Sequence, residues 1–64
     1  MKYNVGDLLD DRNSGLGYVS AIMEDIIQIT WFGRTRSSHP SYHYKNIDRW
    51  INNGYAIHYP VGKQ

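Results

Sequence analysis

The fold is decided by residues 26–32, IIQITWF. Large apolar side chains at Ile27, Ile29 and Trp31 alternate there with polar Gln28 and Thr30. A period of two is typical of a β-strand that has one buried and one solvated face. We therefore predict a strand over residues 26–32 whose buried side carries Ile27, Ile29 and Trp31.

Short apolar runs separated by turn residues predict further strands on both sides of this one. These runs cover four segments: 5–9, 16–23, 41–45 and 55–59. In the second of them, alternation places Val19, Ala21 and Met23 on one face. Glu24-Asp25 is expected to form the turn into the strand at residues 26–32, either as a two-residue turn or as part of a wider hairpin.

Residues 46–53 have the pattern of a short helix that precedes the last strand. Asn46 is a good N-cap, Asp48 is expected in the first turn, and Gly54 fits the position after the C-cap. Three apolar residues fall on one stripe: Ile47, Trp50 and Ile51. A helix of about two turns needs tertiary packing, so we expect the stripe to dock on the sheet. The predicted fold class is mainly β: a small five-stranded barrel with one short helix, in a single domain of residues 1–64.

Composition restricts the functional classes. The chain has 64 residues, a net charge of +1 and no cysteine. Near-neutral charge is unlike the strongly basic signature of a dedicated nucleic-acid binder. No apolar run approaches the roughly 20 residues that a membrane helix needs, and the first seven residues lack the apolar stretch of a signal peptide. We expect a soluble intracellular protein with no membrane contact.

Four motifs, taken in their order, resemble the small SH3-like barrel proteins of tailed bacteriophages. They are Val5-Gly6-Asp7-Leu8-Leu9, Gly15-Leu16-Gly17-Tyr18-Val19, Ile29-Thr30-Trp31-Phe32 and Tyr42-His43-Tyr44. The resemblance implies an SH3-like β-barrel and an accessory viral protein of unknown function. It also implies a location in the host cytoplasm, with the virion as the alternative.

The aromatic residues indicate a binding surface. There are nine aromatics, six of them tyrosine, and so small an interior cannot hold them all. We expect Trp31, Tyr44 and Trp50 to line the interior, whereas exposed rings are expected among Tyr3, Tyr18, Tyr42, Tyr55 and Tyr59. The loop at residues 33–40 adds basic side chains. The predicted partner-binding residues are Tyr18, Phe32, Arg34, Arg36, His39, Tyr42 and Tyr55.

The function predicted from these residues is that of a non-enzymatic protein-interaction module, which binds a host or virion protein through the tyrosines and the 33–40 loop. Two alternatives remain open. Arg34 and Arg36, with neighbouring rings, could hold a nucleic acid weakly, because two arginines release few counterions. The chain could instead be a minor structural protein of the virion. We expect a monomer, although an open edge strand could pair two copies.

The sequence offers no catalytic, metal or cofactor site. Ser37 and Ser38 lie in a loop without a base that a third group holds in place, and so small a domain is expected to lack a ligand-sized pocket. His39 lies in a loop, and His43 and His58 are expected to point outward from their strands, so we predict no metal centre. Gly15 and Gly17 are attributed to turn and bulge geometry rather than to a phosphate-binding loop.

Overall fold

A computed structural model describes residues 2–33 and 40–61. Its elements are β1 Leu8–Asp11, β2 Gly15–Met23, β3 Ile26–Trp31, β4 Ser41–His43, α1 Tyr44–Asn52 and β5 Ala56–Tyr59. The strands form one antiparallel sheet in the order β4-β3-β2-β1-β5. The predicted mainly-β fold with five strands and one helix before the last strand is confirmed. β4 and β5 are the two edges of this sheet, so the sheet is open and a closed barrel is not confirmed. In these described ranges, no helix is both long and apolar enough to span a bilayer.

β3 is the centre of the core, as its alternation predicts. Ile27 and Ile29 are fully buried and Trp31 is almost so. The buried cluster contains Tyr3, Leu9, Val19, Ile27, Ile29, Trp31 and Ile47. The predicted helical stripe is confirmed, because Ile47 is buried and Trp50 and Ile51 pack against the cluster. The helix therefore covers one side of the sheet.

β2 contains a bulge that corrects the predicted face of this strand. Val19 lies opposite Ile29, but Ala21 lies opposite Gln28, so the register shifts by one residue at Ser20. An extra residue in one strand exchanges the two faces beyond it. Consequently Ile22, and not Met23, packs against the core, and the Met23 side chain is 64% exposed. The prediction that Val19, Ala21 and Met23 share a face is wrong.

β1 begins at Leu8 rather than at Val5. The segment before it is a turn in which the Asp7 N–H donates to the Asn4 carbonyl at 3.0 Å. The Asn4 N–H in return donates to Asp7 Oδ2 at 3.0 Å. Gly6 has a φ of +98°, a backbone conformation that glycine adopts without strain. The local turn chemistry therefore replaces the extended conformation predicted for residues 5–7.

The helix begins two residues earlier than predicted and shortens β4, whose predicted range was 41–45. His43 is its N-cap, with an extended backbone and with Nδ1 accepting the Lys45 N–H at 3.2 Å. Asn46 is therefore inside the first turn and is not the cap. Asp48 lies beyond the first turn, so the predicted interaction with the helix dipole is absent. Histidine is not among the common N-cap residues, which explains the error in the prediction.

The C-terminal end of α1 is the predicted one. The Gly54 N–H donates to the Ile51 carbonyl at 3.1 Å and the Tyr55 N–H donates to the Trp50 carbonyl at 2.8 Å. This pair of bonds, with Gly54 at a φ of +82°, is a Schellman motif. It turns the chain sharply out of the helix and places Tyr55 next to Trp50.

Glu24 is the strained residue of the β2–β3 turn. Met23 pairs with Ile26, so Glu24-Asp25 is a two-residue connection, and Glu24 has a φ of +54°. This conformation costs a side-chain-bearing residue about 1–2 kcal/mol, which exceeds the entropic cost of glycine. We expect Glu24→Gly to raise the free energy of unfolding by about 0.5 kcal/mol in urea denaturation. Asp25→Gly, at a position without positive φ, should lower it. A higher free energy of unfolding for Asp25→Gly than for Glu24→Gly would contradict this description of the turn.

Candidate functional site

The side of the sheet opposite the core has a continuous apolar surface, which we call the outer face. It crosses β5, β1 and β2 through the register of the sheet, because Tyr59 pairs with Leu8 and Leu8 pairs with Tyr18, and it ends at Phe32, which directly follows β3. In the neighbouring row, Asp10 lies between Ile57 and Leu16. The outer face consists of Leu8, Asp10, Leu16, Tyr18, Phe32, Ile57 and Tyr59.

Most apolar side chains of the outer face are open to solvent. The exposed fractions are 44% for Leu16, 58% for Phe32, 54% for Ile57 and 46% for Tyr59. Tyr18 packs against Phe32 with 5.4 Å between ring centroids. A solvated face of an antiparallel sheet normally carries polar residues in alternation with the buried ones. On β5, β1 and β2 this face instead carries mostly apolar side chains, with Asp10 as the charged exception.

β5 shows this arrangement most clearly. Its apolar alternation predicts Tyr55, Ile57 and Tyr59 as one side. All three side chains are exposed, but Tyr55 precedes β5 and lies on the helix side, so only Ile57 and Tyr59 share the outer side. The residues that point inward are Ala56, which is buried, and His58, which is partly buried. The more apolar side of the strand therefore lies on the solvent side of the sheet.

A second surface is a groove of about 380 Å³ on the helix side of the sheet. We call it the aromatic groove, and its lining is Asp11, Asn13, Ser14, Trp31, Tyr42, Trp50 and Tyr55. Its volume is near the lower end of the range of about 300–1,000 Å³ that small-molecule pockets occupy.

Three local structures build the aromatic groove. Tyr42 on β4 meets Trp50 edge to face, with 4.8 Å between centroids and an angle of 77°. The Schellman motif places Tyr55 beside them. On the other side, Oδ2 of Asp11 accepts the N–H groups of Asn13 and Ser14 at 3.1 and 2.9 Å. These bonds close the β1–β2 turn and hold the carboxylate at the edge of the groove.

The structure divides the predicted binding residues between these two surfaces. Tyr18 and Phe32 lie together on the outer face, whereas Tyr42 and Tyr55 line the aromatic groove. Arg34, Arg36 and His39 lie outside the described residues. The remaining members of both surfaces were not among the predicted binding residues: Leu8, Asp10, Asp11, Asn13, Ser14, Leu16, Trp31, Trp50, Ile57 and Tyr59. Cross-strand register would have revealed the outer-face members.

Asp7 and His58 form a buried polar pair under the N-terminal segment. His58 Nε2 lies 2.7 Å from Oδ2 of Asp7, whose side chain has no exposed surface. The Val61 N–H donates to Oδ1 at 3.1 Å. Burial alone would raise the pKa of Asp7, but the hydrogen bonds from His58, Asn4 and Val61 outweigh it and lower that pKa. The prediction that His58 points outward is wrong, because the buried carboxylate attracts its ring inward.

Tyr3 extends the same network to the helix. It was predicted among rings that include exposed ones, but it is buried, and its ring contacts His58 edge to face at 4.9 Å. Its hydroxyl donates to Asp48, which also pairs with Lys2 at 3.3 Å. Burial and the Asp48 carboxylate raise the pKa of Tyr3, and the same hydrogen bond lowers the pKa of Asp48. The network fastens residues 2–7 to α1 and β5.

The histidines do not form a metal centre in the part of the chain that the structure describes. His43 caps α1 and His58 is paired with Asp7, and no three histidine or acidic side chains there are grouped as metal ligands. The chain matches no protein-family model, no curated protein and no solved structure.

Proposed function

We propose that the protein is a non-enzymatic interaction module that binds a host or virion protein through the outer face. The observation that supports this proposal is the mainly apolar surface across β5, β1 and β2 and at Phe32, which no element of residues 2–33 and 40–61 covers. Contiguous apolar surface of this kind marks interaction sites on soluble proteins. Tyr18 and Phe32, which the sequence suggests as contacts, lie side by side in it.

The chemistry of the outer face suits a protein partner. Tyr18 and Tyr59 provide large contact area with few rotatable bonds and a hydroxyl at the rim. Leu16, Phe32 and Ile57 supply apolar area that gains free energy when water leaves it. Asp10 is a carboxylate within this surface and would repel a phosphate backbone. The face therefore favours a protein over a nucleic acid.

We further propose that this five-stranded sheet has the SH3-like barrel fold, with β4 and β5 as the strands at the opening of the barrel. We also propose that the chain is encoded by a phage. The strand order β4-β3-β2-β1-β5 and the helix between β4 and β5 support the fold assignment. The order of the four sequence motifs supports the origin. Under this proposal, the partner belongs to the infected bacterium or to the phage particle.

Capture from infected bacterial extract after nuclease treatment, followed by binding measurements with the purified partner, tests this function. Phe32→Ser and Ile57→Ser should each weaken binding roughly 10- to 100-fold, because an aromatic or large aliphatic contact contributes about 1.5–3 kcal/mol. Met23→Ser is the matched control, since Met23 is equally exposed but lies beyond the bulge. Unchanged affinity of both face variants, or an equal loss in the control, would contradict the proposal.

A further inference from the structure

We propose that the aromatic groove binds an arginine side chain of an extended polypeptide segment. This site lies on the helix side of the sheet and goes beyond the protein contact assigned to the outer face. Three features of the groove carry the inference: its ring surfaces, its carboxylate and a buried N–H group.

The ring surfaces form a corner that suits a flat cation. Tyr42 and Trp50 stand nearly perpendicular, and Tyr55, which is 50% exposed, lies beside them. Aromatic faces attract cations, and the attraction is stronger where water is partly excluded. The lining of the groove contains no lysine, arginine or histidine, so no side chain of the lining itself supplies that charge.

Asp11 provides the charge that a cation would meet. One carboxylate oxygen, Oδ2, is occupied by the N–H groups of Asn13 and Ser14, which fix the orientation of the group. A carboxylate accepts about four hydrogen bonds, so the other oxygen keeps its capacity. Asp11 is partly buried at the edge of the groove. A donor that enters the groove therefore finds an oriented anion at its edge.

Trp31 provides a donor for the polypeptide backbone. Its Nε1 is buried, and within the described ranges it has no hydrogen-bond partner. The Cε3 edge of its ring faces Gly17, where a Cβ would lie only 2.6 Å away. Trp31 itself is part of the lining of the groove. A buried N–H group calls for an acceptor, and a backbone carbonyl of a bound segment would supply one.

Arginine satisfies these features together. Its planar guanidinium stacks on aromatic rings and can donate two N–H groups to one carboxylate. A phosphate or a carboxylate ligand would be repelled by Asp11, and a purely apolar side chain would bring no donor to its other carboxylate oxygen. The preceding or following peptide carbonyl of the bound segment would then accept from Trp31 Nε1.

Intrinsic fluorescence tests the proposal directly, because both tryptophans of the chain line the groove. The probe is a blocked pentapeptide, Gly-Gly-Arg-Gly-Gly, and the control is the same peptide with neutral citrulline. We expect saturable binding of the arginine peptide with half-saturation below about 5 mM, and at least roughly five-fold weaker binding of the citrulline peptide. In ¹H–¹⁵N spectra, the Trp31 indole N–H signal should move downfield on saturation. Equal binding of the two peptides, no saturation, or an unmoved indole signal would overturn the proposal.

Variants separate the groove from the outer face. Tyr55→Leu and Asp11→Asn should each weaken arginine-peptide binding at least roughly five-fold, and Tyr55→Leu removes the ring without touching the β1–β2 turn. Tyr59→Leu, which removes a similarly exposed tyrosine ring from the outer face, should leave arginine-peptide binding unchanged. Phe32→Ser should likewise leave arginine-peptide binding unchanged. Loss of partner binding at the outer face is therefore distinguishable from loss of peptide binding at the groove. Equal effects of Tyr55→Leu and Tyr59→Leu would contradict a site in the groove.

Discussion

Asp7→Asn is expected to lower the free energy of unfolding by about 3 kcal/mol. The carboxylate is fully buried and accepts three hydrogen bonds, from His58, Asn4 and Val61. Asparagine has almost the same size, but one of its two terminal groups is a donor and would face another donor. Each buried bond to a charged group contributes about 1.5–3 kcal/mol, and an unpaired buried group adds a further cost.

Thermal denaturation followed by circular dichroism measures this loss. A domain of 64 residues has a total stability of roughly 3–10 kcal/mol, so the melting temperature should fall by roughly 15 °C. Asp10→Asn is the matched control, because Asp10 is an exposed aspartate on β1 and should change stability by less than about 0.5 kcal/mol. Equal melting temperatures of the two variants would show that the Asp7 network does not stabilise the fold.

The pH dependence of the same variant checks the electrostatic origin of the effect. The pKa of Asp7 is lowered in the folded protein, so the unfolded chain takes up a proton first as pH falls. The stabilisation by Asp7 is therefore complete above about pH 5 and is lost as pH falls through about 4 and below. The difference in urea midpoint between the parent chain and Asp7→Asn should shrink between pH 7 and pH 3. A difference that stays constant would indicate a packing defect instead.

Gly17→Ala is the second change with a large expected effect. Gly17 is buried in β2, and a Cβ there would lie 2.6 Å from Trp31 Cε3 and 3.0 Å from the Thr30 carbonyl oxygen. The backbone oxygen cannot move without disturbing the β2–β3 pairing, so the indole must shift within a packed core. Overpacking of this kind costs about 1–3 kcal/mol, and we expect a value near 3.

Urea denaturation and tryptophan fluorescence together measure this effect, because the displaced ring is itself a fluorophore. The matched control is Gly33→Ala, where a Cβ would meet no atom within 4 Å. We expect the control to alter stability by less than about 0.5 kcal/mol and to leave the emission spectrum unchanged. A Gly17→Ala protein as stable as the control would mean that β2 and Trp31 are not packed as described.

The role of Gly17 could not be predicted from the sequence, because it depends on a contact with a distant residue. A Gly-x-Gly pattern suggests a turn, and Gly15, with a φ of +81°, is the first residue of β2 directly after the β1–β2 turn. Gly17 instead accommodates a tryptophan that is 14 residues away in sequence. The strict alternation of β3 predicts its strand and its buried side correctly, because that signal is local. The contact of Trp31 with Gly17 depends on strand register, which alternation alone does not specify.

The outer face and the aromatic groove also depend on contacts between residues that are distant in the sequence. An apolar alternation predicts that one side of a strand is shared by Tyr55, Ile57 and Tyr59, but it does not say which side faces the core. In β5 that choice depends on Asp7, since its buried carboxylate binds His58 on the inner side. In β2 the choice depends on the bulge at Ser20, which exchanges the inner and outer sides of the strand beyond it. The position of this bulge has no local sequence signal. The aromatic surplus correctly indicates exposed rings, whereas their division between the outer face and the aromatic groove requires the fold.

The most direct test of the central claim is a chemical-shift map of the ¹⁵N-labelled chain with its captured and purified protein partner. If the outer face is the docking surface, the largest backbone shifts will fall on its rows across β5, β1 and β2 and on Phe32, centred on Tyr18 and Phe32. The hairpin at Met23, beyond the bulge, will be unaffected. Shifts that are absent from Tyr18, Phe32 and Ile57 but strong at Met23 or on α1 would contradict the account.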